Sequence, residues 1–446
     1  MELDKCLEQA WIWNNELPPE SHEIVLDKSV LIVHKCPLHI NDISWIPSNI
    51  KVLGITNSIV TGRMSDDQKS IIKYIPDSVD EICICEIPNM NYALGCSLGS
   101  YLPDSIKKMN IINDFNNPIG QIINDSAISF LPNSLEGLLI RGTFNQSLGE
   151  NGKSYLPNSL KSLQINSRFY RPFGELGTSY LPESIENFCF GELYVINSYD
   201  WSKVEPYEFP NSIKHMTIHN DIDSELKPNV LPNKLETLFI QTENITYIQD
   251  NIPQTITDLT IHTRSLGAYD NFNVHCIPPN LQKLNICVTA LQKLNSGDLP
   301  LTLEKLKICN CKNDYYYNHE HVIPKSVKKL EICCDNNFEI KTGFIPNGMK
   351  KVVFHNRCVI EPNSIPDSIE TISFRAYRYD RLSIGAIPNS VKKLRFILIG
   401  EKEDMIIPHT IEKVRYGGRM LYMDKDFIEL EKLFTIYKMT KSATSI

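Results

Sequence analysis

No uninterrupted apolar run in the chain approaches the roughly 20 residues of a membrane-spanning helix, so no membrane role is expected. Basic charge is not in excess. Lys and Arg number 45 against 53 Asp and Glu, leaving a net charge of −8 and a pI near 5.8, which argues against a general nucleic-acid binder. The first residues, MELDKCLEQAWIWNNELPPES, show no basic segment followed by an apolar one, so no secretory leader is expected and the cytoplasm is the expected compartment. The 13 cysteines are then expected to be reduced. H-E-x-x-H is absent, no glycine run follows a strand-like stretch in the dinucleotide-binding manner, and no Ser or Cys is paired with a base. No enzyme and no cofactor is expected. What is present is 42% hydrophobic residues, enough for a sizeable core.

The chain repeats itself. One ten-residue frame recurs sixteen times, starting at Ile46, Ile75, Leu102, Leu131, Leu156, Leu181, Phe209, Leu231, Ile252, Ile277, Leu299, Ile323, Ile345, Ile365, Ile387 and Ile407, at spacings of 20 to 29 residues. That period fits a solenoid with one strand per coil rather than separate domains. The second position is always proline, which fixes φ, donates no hydrogen bond and marks a turn. The fourth is Ser, Thr or Asn in fourteen copies, suited to closing that turn locally. The fifth, eighth and tenth are apolar in every copy. The eighth and tenth share one face of a strand, and the seventh, ninth and eleventh point the other way, into water. The fold expected is mostly β, with parallel strands stacked over a continuous aliphatic column. Segments between frames lack helical periodicity and read as loops or short second strands, not helices.

S-L-x-x-L-x-I resembles the strand segment of leucine-rich repeats. With the preceding Leu-Pro-x and a Phe-Asn pair in the loop, it is similar to the FNIP repeat family, most closely in FNQSLGENGKSYLPNSLKSLQI at residues 144–165, with Phe115-Asn116 one coil earlier. The resemblance covers residues 46–416. It implies a protein-binding solenoid of the kind found in social amoebae and in giant viruses that infect amoebae, where the compartment is the host cytoplasm. Family members often carry an amino-terminal F-box, so a ubiquitin-ligase adaptor is the second partner class. LPPESHEIVL, residues 17–26, could open that module or be a decayed repeat, whereas SVLIVHKC favours strand. Residues 1–45 are therefore expected to form a cap. At the other end, Phe427, Leu430, Leu433, Phe434 and Tyr437 fall at helical spacing, predicting a capping helix within residues 417–446.

Candidate chemistry is sparse. GENGKS, Gly149 to Ser154, evokes a phosphate loop but has Ser147 where a glycine is required and precedes a strand frame, not a helix. Cys309, Cys311, His319 and His321 offer soft metal ligands, yet C-x-C with H-x-H is not the usual zinc spacing. Cys287, Cys309 and Cys333 share the eleventh position and read as a column of reduced thiols; no metal is expected. The outward positions of the later coils are basic: Lys283, Lys305, Lys329, Lys351, Lys393 and Lys413 at the seventh, Lys307, Arg395 and Arg415 at the ninth, and Arg375 at the eleventh. Stacked like charges on an acidic protein are expected to receive an acidic protein partner. Few aromatics accompany them, which weakens a third reading as an anionic-ligand or nucleic-acid binder.

Overall fold

The computed structural model describes residues 10–13, 30–34, 48–56, 75–85, 94–100, 102–113, 115–175, 177–191, 199–242, 244–263, 272–309, 322–333, 338–355, 359–375, 386–396, 411–416 and 419–422. They form a parallel β-solenoid divided into two compact units, Met1–Gln241 and Thr242–Ile446. In each of the sixteen frames the main strand begins at the seventh position, from Val52–Thr56 to Lys413–Tyr416. Within each unit consecutive strands pair in parallel without register slip, so Leu138 lies beside Leu163 and Leu306 beside Leu330. Two strands, Ala10–Trp13 and Val30–His34, pair in parallel ahead of the first frame.

The core follows the frame. Fifth-position residues are sealed in both units, from Ile50 and Val79 to Val391 and Ile411, and eighth- and tenth-position residues such as Leu163, Ile165, Leu330 and Ile332 join them. Each buried aliphatic side chain contributes about 1.5–3 kcal/mol before chain entropy. The turn that delivers each strand is closed by backbone: the fifth-position N–H bonds the proline carbonyl, as in Leu160 to Pro157 at 3.0 Å. Several fourth-position hydroxyls do something else. Ser134, Ser159, Ser184 and Ser390 donate to carbonyls of Ile106, Leu135, Leu160 and Ile369, one coil back. The expected local turn closure is thus corrected: backbone already closes the turn, which leaves the hydroxyl for the neighbouring coil.

In the first unit the segments that follow the third and fourth frames are built around the Phe-Asn pair. Phe115, Phe144 and Phe169 are buried and stack with centroids 5.9 and 6.1 Å apart. Asn116 Oδ1 accepts the Asn145 N–H at 2.7 Å, and Asn145 Oδ1 accepts the Tyr170 N–H at 2.9 Å, so an aromatic ladder and an amide ladder run together. Tight antiparallel hairpins follow, among them Gly149–Glu150 with Lys153–Ser154. The GENGKS stretch is this hairpin and not a strand-to-helix loop. The second unit departs from the expectation of no helices: Val288–Leu291 forms one buried α-turn and Val274–Cys276 a 3₁₀ turn. Four residues are too short to show a helical period. At the carboxyl end Arg419–Tyr422 turns back antiparallel on Lys413–Tyr416. The predicted helix over Phe427–Tyr437 and the LPPESHEIVL motif lie outside the described residues.

Candidate functional site

The parallel register of the second unit brings the outward cations into rows. At the seventh position Asp258, Lys283, Lys305, Lys329, Lys351, Thr371, Lys393 and Lys413 are successive partners. At the ninth, Asn285, Lys307, Glu331, Val353, Ser373, Arg395 and Arg415 are. Neighbouring strands lie about 4.8 Å apart, so each cation sits within one side-chain length of the next. Arg375 follows its strand directly and is exposed. Cys311, His319 and His321 lie outside the described residues, and among the described residues no three metal-binding side chains cluster.

The cations are not equivalent. Lys283 Nζ pairs with Asp258 Oδ2 at 2.7 Å. Lys329 pairs with Glu331, whose other oxygen lies 2.7 Å from His355 Nε2. Burial alone would raise the Glu331 carboxyl, but Lys329 and His355 outweigh it and hold it at about 2. The His355 imidazole is pushed below its ordinary value by burial, against the pull of Glu331. Lys305, Lys307, Lys351, Arg375, Lys393 and Arg395 make no ion pair among the described residues. The Lys351 amine is lowered by burial first, then by Lys329, Arg395 and Arg375, which marks it as the centre of crowded positive charge. Not every outward position is wet, contrary to the simple alternation. Val353 and Ser373 are 1% and 3% exposed, lying among long side chains whose methylene stems can shield a short neighbour.

A second charged column escaped the sequence reading. The sixth position, just ahead of each strand, reads Lys51, Asp80, Lys107, Glu136, Lys161, Glu186, Lys214 and Glu236 through the first unit. Its members pair between coils: Lys161 with Glu136 at 3.0 Å and Lys214 with Glu186 at 3.4 Å. The second unit repeats this in Lys328 with Glu304 at 2.5 Å and Lys350 with Glu370 at 2.6 Å. Hydrogen bonds from the facing lysines hold the carboxyls of Glu136, Glu304 and Glu370 below their ordinary value. The signal was visible as alternation over two coils, which an alignment of single frames conceals.

The eleventh-position column is mixed rather than uniformly reduced. Cys287 is disulfide-bonded, whereas Cys309 and Cys333 hold reduced thiols. A reducing compartment had led to the opposite expectation for Cys287.

A family model described as FNIP Repeat matches residues 202–242 and 355–398. Among solved structures, the chain is similar to one described as the crystal structure of CroV588, a novel circular leucine-rich-repeat protein, from a giant virus. The TM-score is 0.50 at 18% identity, over 88% of this chain and 64% of that one. The chain thus spans under two thirds of that neighbour's length, and at this identity the likeness concerns the fold. No curated protein matches the chain.

Proposed function

We propose, for a chain that carries FNIP repeats on a leucine-rich-repeat-like solenoid, that it is a non-catalytic scaffold holding an acidic protein segment against the outward face of its second unit. One contrast carries this reading. The sixth-position lysines Lys161, Lys214, Lys328 and Lys350 are matched by glutamates one coil away, while Lys305, Lys307, Lys351, Arg375, Lys393 and Arg395 share one face without such matches among the described residues. Two ammonium groups about 5 Å apart in water repel by about 0.8 kcal/mol before screening. An acidic partner relieves that repulsion. A preformed sheet keeps the entropy cost of binding low, and a few contacts near Lys351 are expected to dominate.

The test is binding of a fluorescent Asp- and Glu-rich peptide to the full chain. Lys305→Glu, Lys351→Glu and Arg395→Glu together should weaken binding at least tenfold and leave the thermal transition in place. Unchanged affinity removes the proposal. A single-stranded oligonucleotide that binds more tightly than the peptide, with a steep salt dependence, would move the reading to nucleic acid.

A further inference from the structure

We propose that Cys309 and Cys333 form a cross-coil dithiol on the outward face that closes reversibly into a disulfide. They end the strands Lys305–Cys309 and Lys329–Cys333 and are direct register partners. Strands in a parallel pair lie about 4.8 Å apart, inside the range of about 4.4–6.8 Å between Cα atoms that a disulfide spans. Closure therefore asks for side-chain rotation and no shift of register. Both thiols are reduced and half-buried, within reach of a small oxidant.

The surroundings activate one of the two. Cys309 Sγ donates to Asn285 Oδ1 at 3.0 Å and is itself hydrogen-bonded by Cys333. That bond from Cys333 lowers the Cys309 thiol below its ordinary value, with help from the Lys307 cation and against burial and Glu331. Two described cysteines differ. Burial pushes Cys189 up to about 11 and Cys276 up to about 12. A thiol favoured toward its thiolate beside a register-paired second thiol is the arrangement of a redox-responsive pair.

The chemistry balances with a small-molecule disulfide, oxidised glutathione, as oxidant. The Cys309 thiolate attacks one glutathione sulfur, forming a mixed disulfide and expelling a glutathione thiolate. Cys333 loses its proton to that thiolate and attacks the Cys309 sulfur. The second glutathione leaves as thiolate and takes a proton from solvent. The protein has lost two electrons and glutathione disulfide has gained them. The new bond ties two coils together beside Lys307 and Glu331, on the face assigned above to partner binding.

The full chain is equilibrated across ratios of reduced to oxidised glutathione, trapped with N-ethylmaleimide, digested with trypsin without reduction and sequenced by mass spectrometry. Fragment ions distinguish Cys309 from Cys311 within residues 308–312 and Cys333 from Cys334 within residues 330–341. The expected result is a Cys309–Cys333 link that grows with the oxidised fraction and disappears with dithiothreitol. Cys333→Ser should stall at glutathione on Cys309, and Cys309 should alkylate at least tenfold faster than Cys189 at neutral pH. Absence of the link at every ratio, a link from Cys309 to Cys287, Cys311 or Cys334 instead, or alkylation of Cys309 no faster than Cys189 overturns the proposal.

Discussion

Glu331 sits 16% exposed between Lys329 and His355, and its effect on stability has a definite sign. Its carboxyl is depressed to about 2 in the fold, against about 4.3 in an unfolded chain. The stabilisation is therefore complete above the unfolded value and lost as pH falls through the folded one. Glu331→Gln should cost on the order of 2 kcal/mol at pH 6 and almost nothing near pH 2, read from urea midpoints across that range. Glu208 behaves oppositely. It is 2% exposed, takes the Glu205 N–H on one oxygen at 3.1 Å, and has no partner for the other. Burial raises its carboxyl, so its contribution is intact below the unfolded value and disappears as pH rises through the folded one. Glu208→Gln should stabilise the first unit by about 1 kcal/mol at pH 8 and be neutral at pH 4. A melt that is less stable at pH 8 would show that the carboxylate is satisfied there.

Within a coil, the aromatic ladder and the hairpin set the tolerances. Phe144 is fully buried between Phe115 and Phe169, and Phe144→Ala should cost about 3–5 kcal/mol by denaturant unfolding. Gly149 allows its hairpin to close on the next coil: a Cβ there would strike the Lys153 carbonyl and lie 2.5 Å from the Tyr180 ring. Gly149→Ala should destabilise the first unit more than Gly137→Ala, whose Cβ would meet nothing closer than 3.7 Å; equal melting shifts would refute that ranking. At this scale the sequence spoke clearly about strands and core. Proline at the second position and apolar residues at the fifth, eighth and tenth are chemical requirements of one short rung, so each copy states them in full. It was silent where one coil depends on the next. Ser159 looks like a local turn-former but bonds Leu135, and the Phe-Asn pair gains its meaning only when stacked. The outward cations were legible as a row. That Lys329 and Lys283 are already neutralised, and Lys351 is not, required side chains in place.

Across the whole chain, charge is unevenly divided. The first unit holds 18 Lys and Arg against 30 Asp and Glu, the second 27 against 23. An overall net charge of −8 thus conceals a carboxyl-terminal unit with a cationic excess. Binding at the outward face should weaken as salt rises, because exposed charges decouple beyond the Debye length of about 8–10 Å near physiological ionic strength. Folding of either unit should respond far less, since its buried columns are apolar. Peptide titrations and thermal melts between 50 mM and 500 mM salt, both about the range where screening grows steep, should separate the two responses.

The alternating sixth-position column carries a consequence for how such a molecule can change length. In the first unit, excising the single coil that contains Lys161 would seat Glu136 against Glu186, whereas excising two would seat Glu136 against Lys214. Growth or shrinkage by an odd number of coils meets electrostatic mismatch at the seam, and an even number does not.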